Sequence, residues 1–514
     1  MKLDAILVLD FGGQYCHLLA RRVREHNVYS EIVPCDITPK EIEALNKSLN
    51  VKGLILSGGP SSVYEENAPK FDERILNLGI PVLGLCYGHQ LIAHISHGKV
   101  GTGAKREYGI THVVIDKPVD VLNELAPKEN VWMSHSDIVY ELPEDYEILA
   151  HTENSPVAAF RHKEKHIYGL QWHPEVIHTK NGMKMLRNFI FEVCKCEANW
   201  KPESLIDRAV HEIKQTVGDG KAIIALSGGI DSSAATFLAA KAIGKNLTAI
   251  FVDHGFMRDG EPEFVKRTFE RRSVNVVVID AQERFLKKLK GVVDPEEKRK
   301  IIGIEFIRVF EEMAKKIGAE YLIQGTIYPD RIESGIRKHS DKIKSHHNVA
   351  GLPTKIEFKA IIEPLRDLYK DEVREVAKML GLPNEIVKRQ PFPGPGLAVR
   401  IIGEVTKEKV DLARKADKIV SEEIEKSGLK ESLWQYFAVL TETKSTGVKG
   451  DSRAYGYTVA IRAVESKEAM TAGFAKIPYD VLERISTRIT NELPLVTRVV
   501  YDITHKPPAT IEWE

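Results

Sequence analysis

The chain has 514 residues, which is too long for one hydrophobic core and predicts roughly two to four domains. Hydrophobic residues make up 43% of the chain and charged residues 28%, as in ordinary globular proteins. Lys plus Arg and Asp plus Glu both number 73, and the resulting formal charge of +0 argues against a chain built mainly to bind nucleic acid. No apolar run approaches the length of a membrane span, so we expect no membrane partner.

In the first part of the chain, short β-rich runs alternate with helical or loop segments. Strands are predicted at residues 5–9, 28–33, 53–56 and 81–85. Up to about residue 191, this alternation predicts an open α/β sheet that binds ligands at the carboxyl ends of its strands. The polar stretch at residues 196–202 then predicts a linker.

A second α/β unit follows this linker. Its strands are predicted at residues 221–226, 247–252, 274–279 and 321–324, with helix-like sequence between them. The proline-glycine cluster at residues 391–396 interrupts the pattern, and the remainder mixes helix with β-rich runs at 455–463 and 497–502. The predicted fold is therefore two open α/β sheet domains and a C-terminal α+β domain, with boundaries at residues 1–195, 200–390 and 391–514.

Cys86 stands in a Gly-x-Cys-x-Gly motif at residues 84–88, directly after a run typical of a buried strand. This motif is the cysteine counterpart of the Gly-x-Ser-x-Gly nucleophile elbow, where flanking glycines permit the strained turn that exposes a nucleophile. Cysteine suits acyl transfer because its thiolate is intrinsically reactive. The five cysteines lack paired spacing, which predicts a reducing compartment and hence a cytoplasmic protein. The other four are predicted to be inert packing residues: Cys16, Cys35, Cys194 and Cys196.

Two downstream residues could complete a catalytic triad with Cys86. His173 could accept the thiol proton, and Glu175 could orient the imidazole. Because they are two residues apart, we expect them to point to the same face of a strand. Residues 54–60 predict a further strand that ends in a glycine turn, and such a turn could present a backbone N–H beside the thioester.

Residues 227–233 read Ser-Gly-Gly-Ile-Asp-Ser-Ser, between a strand-like run and the helix-like run 234–242. Two glycines permit a tight turn, and the hydroxyls and the helix N-terminus add hydrogen-bond donors and positive dipole. No Lys follows the glycines, so the Walker A pattern does not apply. The segment predicts a phosphate-binding loop of seven residues: Ser227, Gly228, Gly229, Ile230, Asp231, Ser232 and Ser233.

These motifs resemble known families. The 227–233 loop resembles the signature of the ATP pyrophosphatases, and the cysteine elbow with His173 and Glu175 resembles the triad of class I glutamine amidotransferases. Across the whole chain, the sequence resembles the glutamine-hydrolysing GMP synthetase family, on residues 324–334, 343–349, 391–396 and 506–514. The resemblance implies synthesis of GMP from xanthosine 5′-monophosphate (XMP) with ATP and glutamine, through an adenylyl-XMP intermediate. It also implies Mg²⁺ as a cofactor and a homodimer.

The same resemblance assigns roles to individual residues. The backbone N–H groups of Gly59 and Tyr87 would form the oxyanion hole. Asp231, Asp330 and Glu333 would hold Mg²⁺ near the ATP phosphates. A lid over the adenylylation site would comprise Asp330, Glu333, Lys344, His346 and His347. XMP would be bound by Arg258, Gln435, Arg498, Lys506, Ile511 and Glu512.

Two other functions stay open at this point. One is a different PP-loop amidating or thiolating enzyme, such as an NAD synthetase or a tRNA-modifying ligase, which the ending at residues 506–514 and the neutral charge disfavour. The other is a non-enzymatic binding or regulatory protein that keeps these folds. The complete set of Cys86, His173, Glu175 and the 227–233 loop argues against that loss of activity.

Overall fold

The computed structural model describes residues 2–336, 358–466 and 471–514, with the backbone alone at residues 333–336. The chain divides into two compact units, Met1–Leu205 and Ile206–Glu514. In the described ranges, no helix is both long enough and apolar enough to cross a bilayer. The proposed boundary near residue 390, within the second unit, stays a prediction.

A nine-stranded sheet forms the centre of the first unit, in the order β2-β1-β3-β4-β9-β8-β7-β5-β6. The first five strands in this order are parallel, and the pairs from β9 to β6 are antiparallel. The strands are β1 (Leu3–Asp10), β2 (Tyr29–Pro34), β3 (Leu49–Leu56), β4 (Val82–Leu85), β5 (Lys99–Ile115), β6 (Lys128–Glu141), β7 (Tyr146–His151), β8 (Ala159–His162) and β9 (Ile167–Leu170).

The parallel half of this sheet is buried on both faces. Ala5, Ile6, Leu7, Val8 and Leu9 of β1 are all fully buried, as expected for the near-continuous apolar runs of parallel sheets. The α-helices that connect or flank the strands are α1 (Cys16–Arg24), α2 (Pro39–Leu45), α3 (Tyr87–Ile95) and α4 (Gly182–Arg187), and a π-helical segment follows at Asn188–Val193. The carboxyl ends of β1, β3, β4 and β9 consequently meet at one edge, where the triad residues were expected.

The second unit contains a five-stranded parallel sheet in the order β12-β11-β10-β13-β14. Because the chain moves from β10 to one side and later returns to the other side, the carboxyl end of β10 is the switch point where α/β sheets bind ligands. The strands are β10 (Ala222–Ala225), β11 (Leu247–Asp253), β12 (Asn275–Asp280), β13 (Tyr321–Ile323) and β14 (Ala360–Ile362). The helices between residues 202 and 387 are α5 (Pro202–Val217), α6 (Ile230–Ile243), α7 (Glu261–Glu270), α8 (Gln282–Lys288), α9 (Pro295–Ile317), α10 (Tyr328–Ile336), α11 (Lys370–Met379) and α12 (Asn384–Val387).

The last part of the chain is built on a mixed sheet of four strands. An antiparallel hairpin of β15 and β16 is joined by β17 and, in parallel to β16, by β18. One apolar cluster continues from Ile223 of the parallel sheet to Tyr436 and Ile461 of the mixed sheet. The elements are α13 (Lys407–Lys426), β15 (Gln435–Lys449), β16 (Ser452–Glu465), β17 (Gly473–Phe474), α14 (Tyr479–Glu492) and β18 (Val496–Tyr501). The predicted fold class, two α/β sheets and a C-terminal α+β region, is confirmed.

Candidate active sites

Cys86 lies at a sharp turn between β4 and α3. Its backbone has φ 50° and ψ −102°, a left-handed conformation that costs energy for any residue with a Cβ. The glycines on either side are required by close packing, since a Cβ on Gly84 would lie 2.4 Å from the Gly88 carbonyl oxygen and a Cβ on Gly88 2.5 Å from the Leu56 carbonyl oxygen. The thiol Sγ lies 3.7 Å from the carbonyl oxygen of Ser134. This geometry is that of a nucleophile elbow.

His173 and Glu175 form a buried pair beside Cys86. Glu175 Oε1 lies 2.7 Å from His173 Nδ1, and the His173 side chain also hydrogen-bonds to the Cys86 side chain. Burial lowers the pKa of His173, but the Glu175 carboxylate and the Cys86 thiol together raise it well above its usual 6.5. The site therefore stabilises an imidazolium, the species formed when His173 takes a proton from the thiol.

The expectation that His173 and Glu175 share one face of a strand is wrong. Strand β9 ends at Leu170, and residues 171–175 form an irregular loop. Pro174, which has no N–H to donate, stands between the two residues and cannot continue a ladder. The loop is instead held by hydrogen bonds from its own backbone and from Thr179: the His173 N–H donates to the Trp132 carbonyl at 3.1 Å, and Thr179 Oγ1 donates to the His173 carbonyl at 2.6 Å.

The glycine turn after β3 lies directly against the triad. A Cβ on Gly58 would lie 2.9 Å from His173 Cε1 and 3.7 Å from Cys86 Cβ, so no larger residue fits there without displacement. A Cβ on Gly59 would lie 2.7 Å from the Phe11 carbonyl oxygen and 3.4 Å from Tyr87 Cγ. The structure thus brings Gly59 and Tyr87 together beside Cys86, and their role as oxyanion donors stays a prediction.

A pocket of about 400 Å³ opens above Cys86 and His173. Sequence reasoning missed its polar wall, where Gln90 Nε2 donates to the Asp137 carbonyl at 2.7 Å. The Asp137 carboxylate accepts hydrogen bonds from Ser62 at 2.5 Å and from Tyr64 at 3.1 Å. Gln90 and Ser62 each lie two residues beyond a predicted motif, whereas Tyr64 and Asp137 lie near none. Such a pocket can hold a small polar molecule with its reactive carbonyl at the thiol.

The remaining four cysteines are not placed for catalysis. All five cysteines are free, and burial raises the pKa of Cys35 to about 11 and of Cys196 to about 12. Burial also raises the pKa of Cys16 and Cys194 well above the usual value for a thiol. These thiols are therefore held in the protonated, unreactive form.

The predicted phosphate loop lies at the carboxyl end of β10. Gly228 has φ +76°, in the region that favours glycine. Serine side chains close the loop on itself: Ser232 Oγ donates to the Gly229 carbonyl at 3.1 Å, and Ser233 Oγ donates to the same oxygen at 2.7 Å. Gly229 caps α6 without any side-chain cap, so the first N–H groups of the helix are left for an anion.

Asp231 occupies the first turn of α6 with its two carboxylate oxygens in different environments. Oδ2 forms an ion pair with Lys370, at the start of α11. Oδ1 is buried without a hydrogen-bond partner among the described residues. An oxygen of this kind suits Mg²⁺, which takes one or two protein carboxylates and completes its shell with phosphate oxygens and water. Lys370 was missed, because nothing in its sequence context relates it to a loop 139 residues away.

The structure describes only some of the other predicted metal and lid residues. Asp330 and Glu333 lie on α10, one turn apart, and the Glu333 side chain is outside the described part. Lys344, His346 and His347 lie outside the described residues. Within the described ranges, no three His, Cys, Asp or Glu side chains converge as a metal site of their own.

Three of the predicted XMP residues gather in the second unit although they are far apart in sequence. Gln435 Nε2 donates to Glu512 Oε1 and to the Pro391 carbonyl, each at 2.9 Å. The Arg258 guanidinium lies 4.4 Å from the centre of the Phe392 ring, and its Nε and Nη2 have no hydrogen-bond partner among the described residues. Burial lowers the pKa of Arg258 to about 10. Nε is ion-paired with Asp417 Oδ2 at 3.7 Å, so Nη2 is the donor that can bind an anionic ligand.

Arg400 and Asp417 complete this cluster, and sequence reasoning missed both. Arg400 is fully buried, with Nε 2.9 Å from Glu512 Oε2 and Nη1 3.4 Å from Asp417 Oδ1. Its guanidinium also stacks 4.0 Å from the centre of the Phe437 ring. Arg400 therefore fixes the Glu512 carboxylate in place. As an isolated arginine after the proline-glycine cluster, it carried no sequence signal for this role.

The remaining predicted XMP residues divide into two groups. Ile511 is buried against Phe437, and the Lys506 main chain exchanges hydrogen bonds with Ala472 in the same region. Arg498 lies on β18 opposite residue 458, whereas Gln435 lies opposite residue 464, so about 20 Å of strand separates them. The structure does not bring Arg498 to the cluster; its Nε donates to Ser445 Oγ at 3.2 Å.

The first unit has a cysteine elbow with a His–Glu pair, and this site defines a glutamine amidotransferase. The second unit has a phosphate loop at the switch point of its parallel sheet, and this site defines an ATP pyrophosphatase. Family models agree. Residues 7–193 match the class-I glutamine amidotransferase family, 202–384 the PP-loop domain family and 422–513 the GMP synthase C terminal domain family.

Relatives named as glutamine-hydrolyzing GMP synthases match the full length of the chain. The protein from Caldicellulosiruptor saccharolyticus is 58% identical, that from Caldanaerobacter subterraneus subsp. tengcongensis 55% and that from Clostridium botulinum strain Hall 54%; each alignment covers 100% of both chains. The chain belongs to the glutamine-hydrolyzing GMP synthase family. The C-terminal match separates it from the other PP-loop enzymes that the sequence had left open.

Proposed function

We propose that this chain synthesises GMP from XMP, with ATP and with ammonia released from glutamine. The observation that carries the proposal is the cluster of Arg258, Gln435 and Glu512, which joins the PP-loop region to the C-terminal tail and leaves Arg258 Nη2 without a hydrogen bond among the described residues. The products are GMP, AMP, pyrophosphate and glutamate, and the intermediate is adenylyl-XMP.

In the first half-reaction, the Cys86 sulfur attacks the carboxamide carbon of glutamine while His173 takes the thiol proton. Glu175 stabilises the resulting imidazolium, and the N–H groups of Gly59 and Tyr87 bind the oxyanion. His173 returns the proton to the leaving nitrogen, which departs as ammonia. Water then hydrolyses the thioester, releases glutamate and restores the thiol.

In the second half-reaction, O2 of the XMP base attacks the α-phosphate of ATP and pyrophosphate leaves. The N–H groups of the 227–233 loop and of the α6 N-terminus bind the departing phosphates. Ammonia then displaces AMP from the adenylylated base and gives GMP. Asp231, Asp330 and Glu333 would hold Mg²⁺, which would supply charge neutralisation at the phosphates. In this proposal Lys344, His346 and His347 cover the α-phosphate.

For XMP, the proposal gives each residue a task that follows from its chemistry. Arg258 donates from Nη2 to an anionic group of XMP, and Lys506 adds positive charge. Glu512, fixed by Arg400 and Gln435, accepts hydrogen bonds from the purine or the ribose. Ile511 packs beside the ligand.

A cytoplasmic homodimer is also part of the proposal. Apolar side chains on the strands and turns of the C-terminal sheet are strongly exposed in the single chain, among them Val448 at 74%, Tyr455 at 72% and Ile503 at 64%. A second copy of the chain would cover such a surface. Five free thiols, one of them at an active site, support a reducing compartment.

The proposal is tested by separating the two nitrogen sources. Cys86→Ala should abolish GMP formation from glutamine but leave GMP formation from added ammonium, because only the thioester step uses that sulfur. The assay follows GMP and pyrophosphate with XMP, IMP or nicotinate adenine dinucleotide as the acceptor. Cys35→Ala, at a protonated thiol of the same unit, is the matched control and should leave both activities unchanged. If ammonium does not rescue Cys86→Ala, the two-site assignment is wrong.

A further inference from the structure

Arg389 follows α12 and bridges the phosphate loop to α7. Its Nη1 donates to the Gly228 carbonyl oxygen at 3.1 Å. Its Nη2 lies 2.8 Å from Glu261 Oε1, and the two side chains are only 16% and 2% exposed. A guanidinium can serve both partners because its donors form a rigid planar fork. The bridge is therefore a buried, charge-assisted contact to the backbone of the loop.

The bond to the Gly228 carbonyl fixes the direction of the next amide. In a planar trans peptide, the carbonyl of one residue and the N–H of the next point in opposite directions. Because Arg389 binds the Gly228 oxygen, the Gly229 N–H must face away from Arg389, and it donates to Ser227 Oγ at 3.3 Å within the loop. Gly228, at φ +76°, has no Cβ to oppose rotation of this peptide. Without Arg389, a flipped peptide would break the hydrogen bond to Ser227 Oγ and would turn the Gly228 carbonyl oxygen to the Ser227 side of the loop.

Glu261 holds the guanidinium in this position. It is the first residue of α7, where the helix dipole favours a carboxylate. A Cβ on Gly228 would lie 3.1 Å from Arg389 Nη1 and 3.3 Å from Glu261 Oε1, so the loop packs tightly on the pair. The Glu261 N–H also donates to the Arg258 carbonyl at 3.3 Å. The pair thus contacts both the phosphate loop and the segment that carries Arg258.

The two residues after Arg389 are bound to the C-terminal sheet. Gln390 Nε2 donates to the Tyr436 carbonyl at 3.1 Å, and the Tyr436 N–H donates to Gln390 Oε1 at 2.9 Å. Pro391 accepts from Gln435, which also contacts Glu512. One short stretch, 389–391, therefore touches the phosphate loop at one end and the proposed XMP cluster at the other.

We propose that Arg389, held by Glu261, is a positioning residue that locks the Gly228–Gly229 peptide, whose N–H donates to Ser227 Oγ, in the form of the loop that binds the ATP phosphates. This inference rests on the proposed function, because ATP is the ligand concerned. The lock keeps the loop in its binding-competent form before ATP arrives. Loss of the lock lowers the competent fraction, which weakens apparent ATP affinity by the same factor but leaves the ATP-saturated enzyme competent.

Arg389→Lys and Arg389→Met test the lock in the ammonia-dependent reaction. Lys keeps the charge beside Glu261 but cannot serve both partners, and Met removes every donor. Loss of a charge-assisted bond predicts a roughly tenfold to hundredfold rise in KM for ATP, with kcat at saturating ATP and KM for XMP changed less than about threefold. Lys388→Met is the matched control. Lys388 is the exposed neighbour, with a surface contact to Glu431, and its variant should retain wild-type constants.

A residue that merely stabilises the fold would give a different result. Arg389→Lys would then lower kcat through loss of folded enzyme, while KM for ATP stayed at the wild-type value, and that result would overturn the lock. Arg389→Lys covers the case in which Arg389→Met does not fold. Wild-type protein that makes no GMP from XMP, ATP and ammonium would contradict the proposed function instead. Calorimetric binding of a non-hydrolysable ATP analogue to the same variants would still decide whether the lock exists.

Discussion

Both sites are organised by buried charged side chains that depend on one another. His173 with Glu175, Arg389 with Glu261, and Arg400 with Glu512 are each largely withdrawn from solvent. Removing one member of a buried pair leaves the other charge without compensation, whereas an exposed pair contributes little. Substitution within these pairs should therefore affect chemistry and stability far more than substitution of surface ion pairs.

Glu175→Gln should reduce glutamine-dependent GMP synthesis by roughly 10²-fold to 10⁴-fold, because the amide neither stabilises the imidazolium nor fixes the required tautomer of His173. The ammonia-dependent rate should stay at the wild-type level. Steady-state assays with each nitrogen source measure the two rates. Glu192→Gln, at an exposed position of the same unit, is the matched control. An equal loss with both nitrogen sources would contradict the assigned role.

The same variant should change how stability depends on pH. The folded-state pKa of His173 is raised above 6.5, so its protonation stabilises the folded protein fully below pH 6.5 and this stabilisation is lost as the pH rises through the raised pKa. Without the Glu175 carboxylate, the effect of burial is opposed by Cys86 alone, so that pKa falls. Glu175→Gln should therefore lose more stability below pH 6.5 than at alkaline pH, as measured by denaturant unfolding. A loss independent of pH would contradict this linkage.

At the residue scale, the sequence predicted groups that belong to local motifs. Cys86 between its glycines and Asp231 after the glycine pair could be found because the backbone geometry and the chemistry are encoded in adjacent residues. Arg389, Arg400 and Lys370 could not be found. Each is an ordinary charged residue whose partner is distant in the chain, so its role exists only once the sheets have packed.

At the scale of elements, each predicted strand overlaps an observed one, because buried parallel strands are short apolar runs bounded by turns. The hairpin of β5 and β6 was missed. Its strands, at 17 and 14 residues, alternate exposed and buried positions and carry register shifts, so no compact apolar run marks them. The predicted alternation of strand and helix consequently failed in the antiparallel half of the first unit.

The C-terminal tail, residues 506–514, is docked within the second unit. Lys298 on α9 is fully buried, and its Nζ lies 2.5 Å from Glu514 Oε2 and 2.8 Å from the Ile401 carbonyl oxygen. Arg299 donates to the Glu514 main-chain oxygen. Burial lowers the pKa of Lys298 and raises that of Glu514, so each charge relies on its partner. This clamp lies two residues from Glu512.

Lys298→Met should therefore weaken XMP binding roughly tenfold, because the released tail no longer presents Glu512 in a fixed position. Calorimetry measures the affinity for XMP, and KM for ATP should be unchanged. Lys300→Met, at an exposed position of the same helix, is the matched control. The double variant Lys298→Met/Glu514→Gln should be more stable than the single variant, since it removes both charges. Unchanged XMP affinity in a folded Lys298→Met protein would contradict the clamp.

At the scale of the whole molecule, each compact unit contains one complete set of reacting groups. Cys86, His173 and Glu175 belong to the first unit, whereas the phosphate loop and the cluster around Glu512 belong to the second. The linker also packs against the core of the first unit. Trp200 is buried, its ring centre lies 4.7 Å from that of Tyr29, and its backbone N–H donates to the Asn27 carbonyl at 2.9 Å.

A chain that ends at Lys201 should therefore melt cooperatively and hydrolyse glutamine, and residues 202–514 should convert XMP with ATP and ammonium. A chain that ends at Glu197 lacks Trp200 and should lose about 3–5 kcal/mol of stability, since the ring fills a buried site against Tyr29. Calorimetric melting and a glutamate-release assay compare the two truncations with the full-length chain. Two results would contradict this prediction. One is a chain ending at Lys201 that shows no cooperative transition, and the other is a chain ending at Glu197 that melts at the same temperature as the chain ending at Lys201.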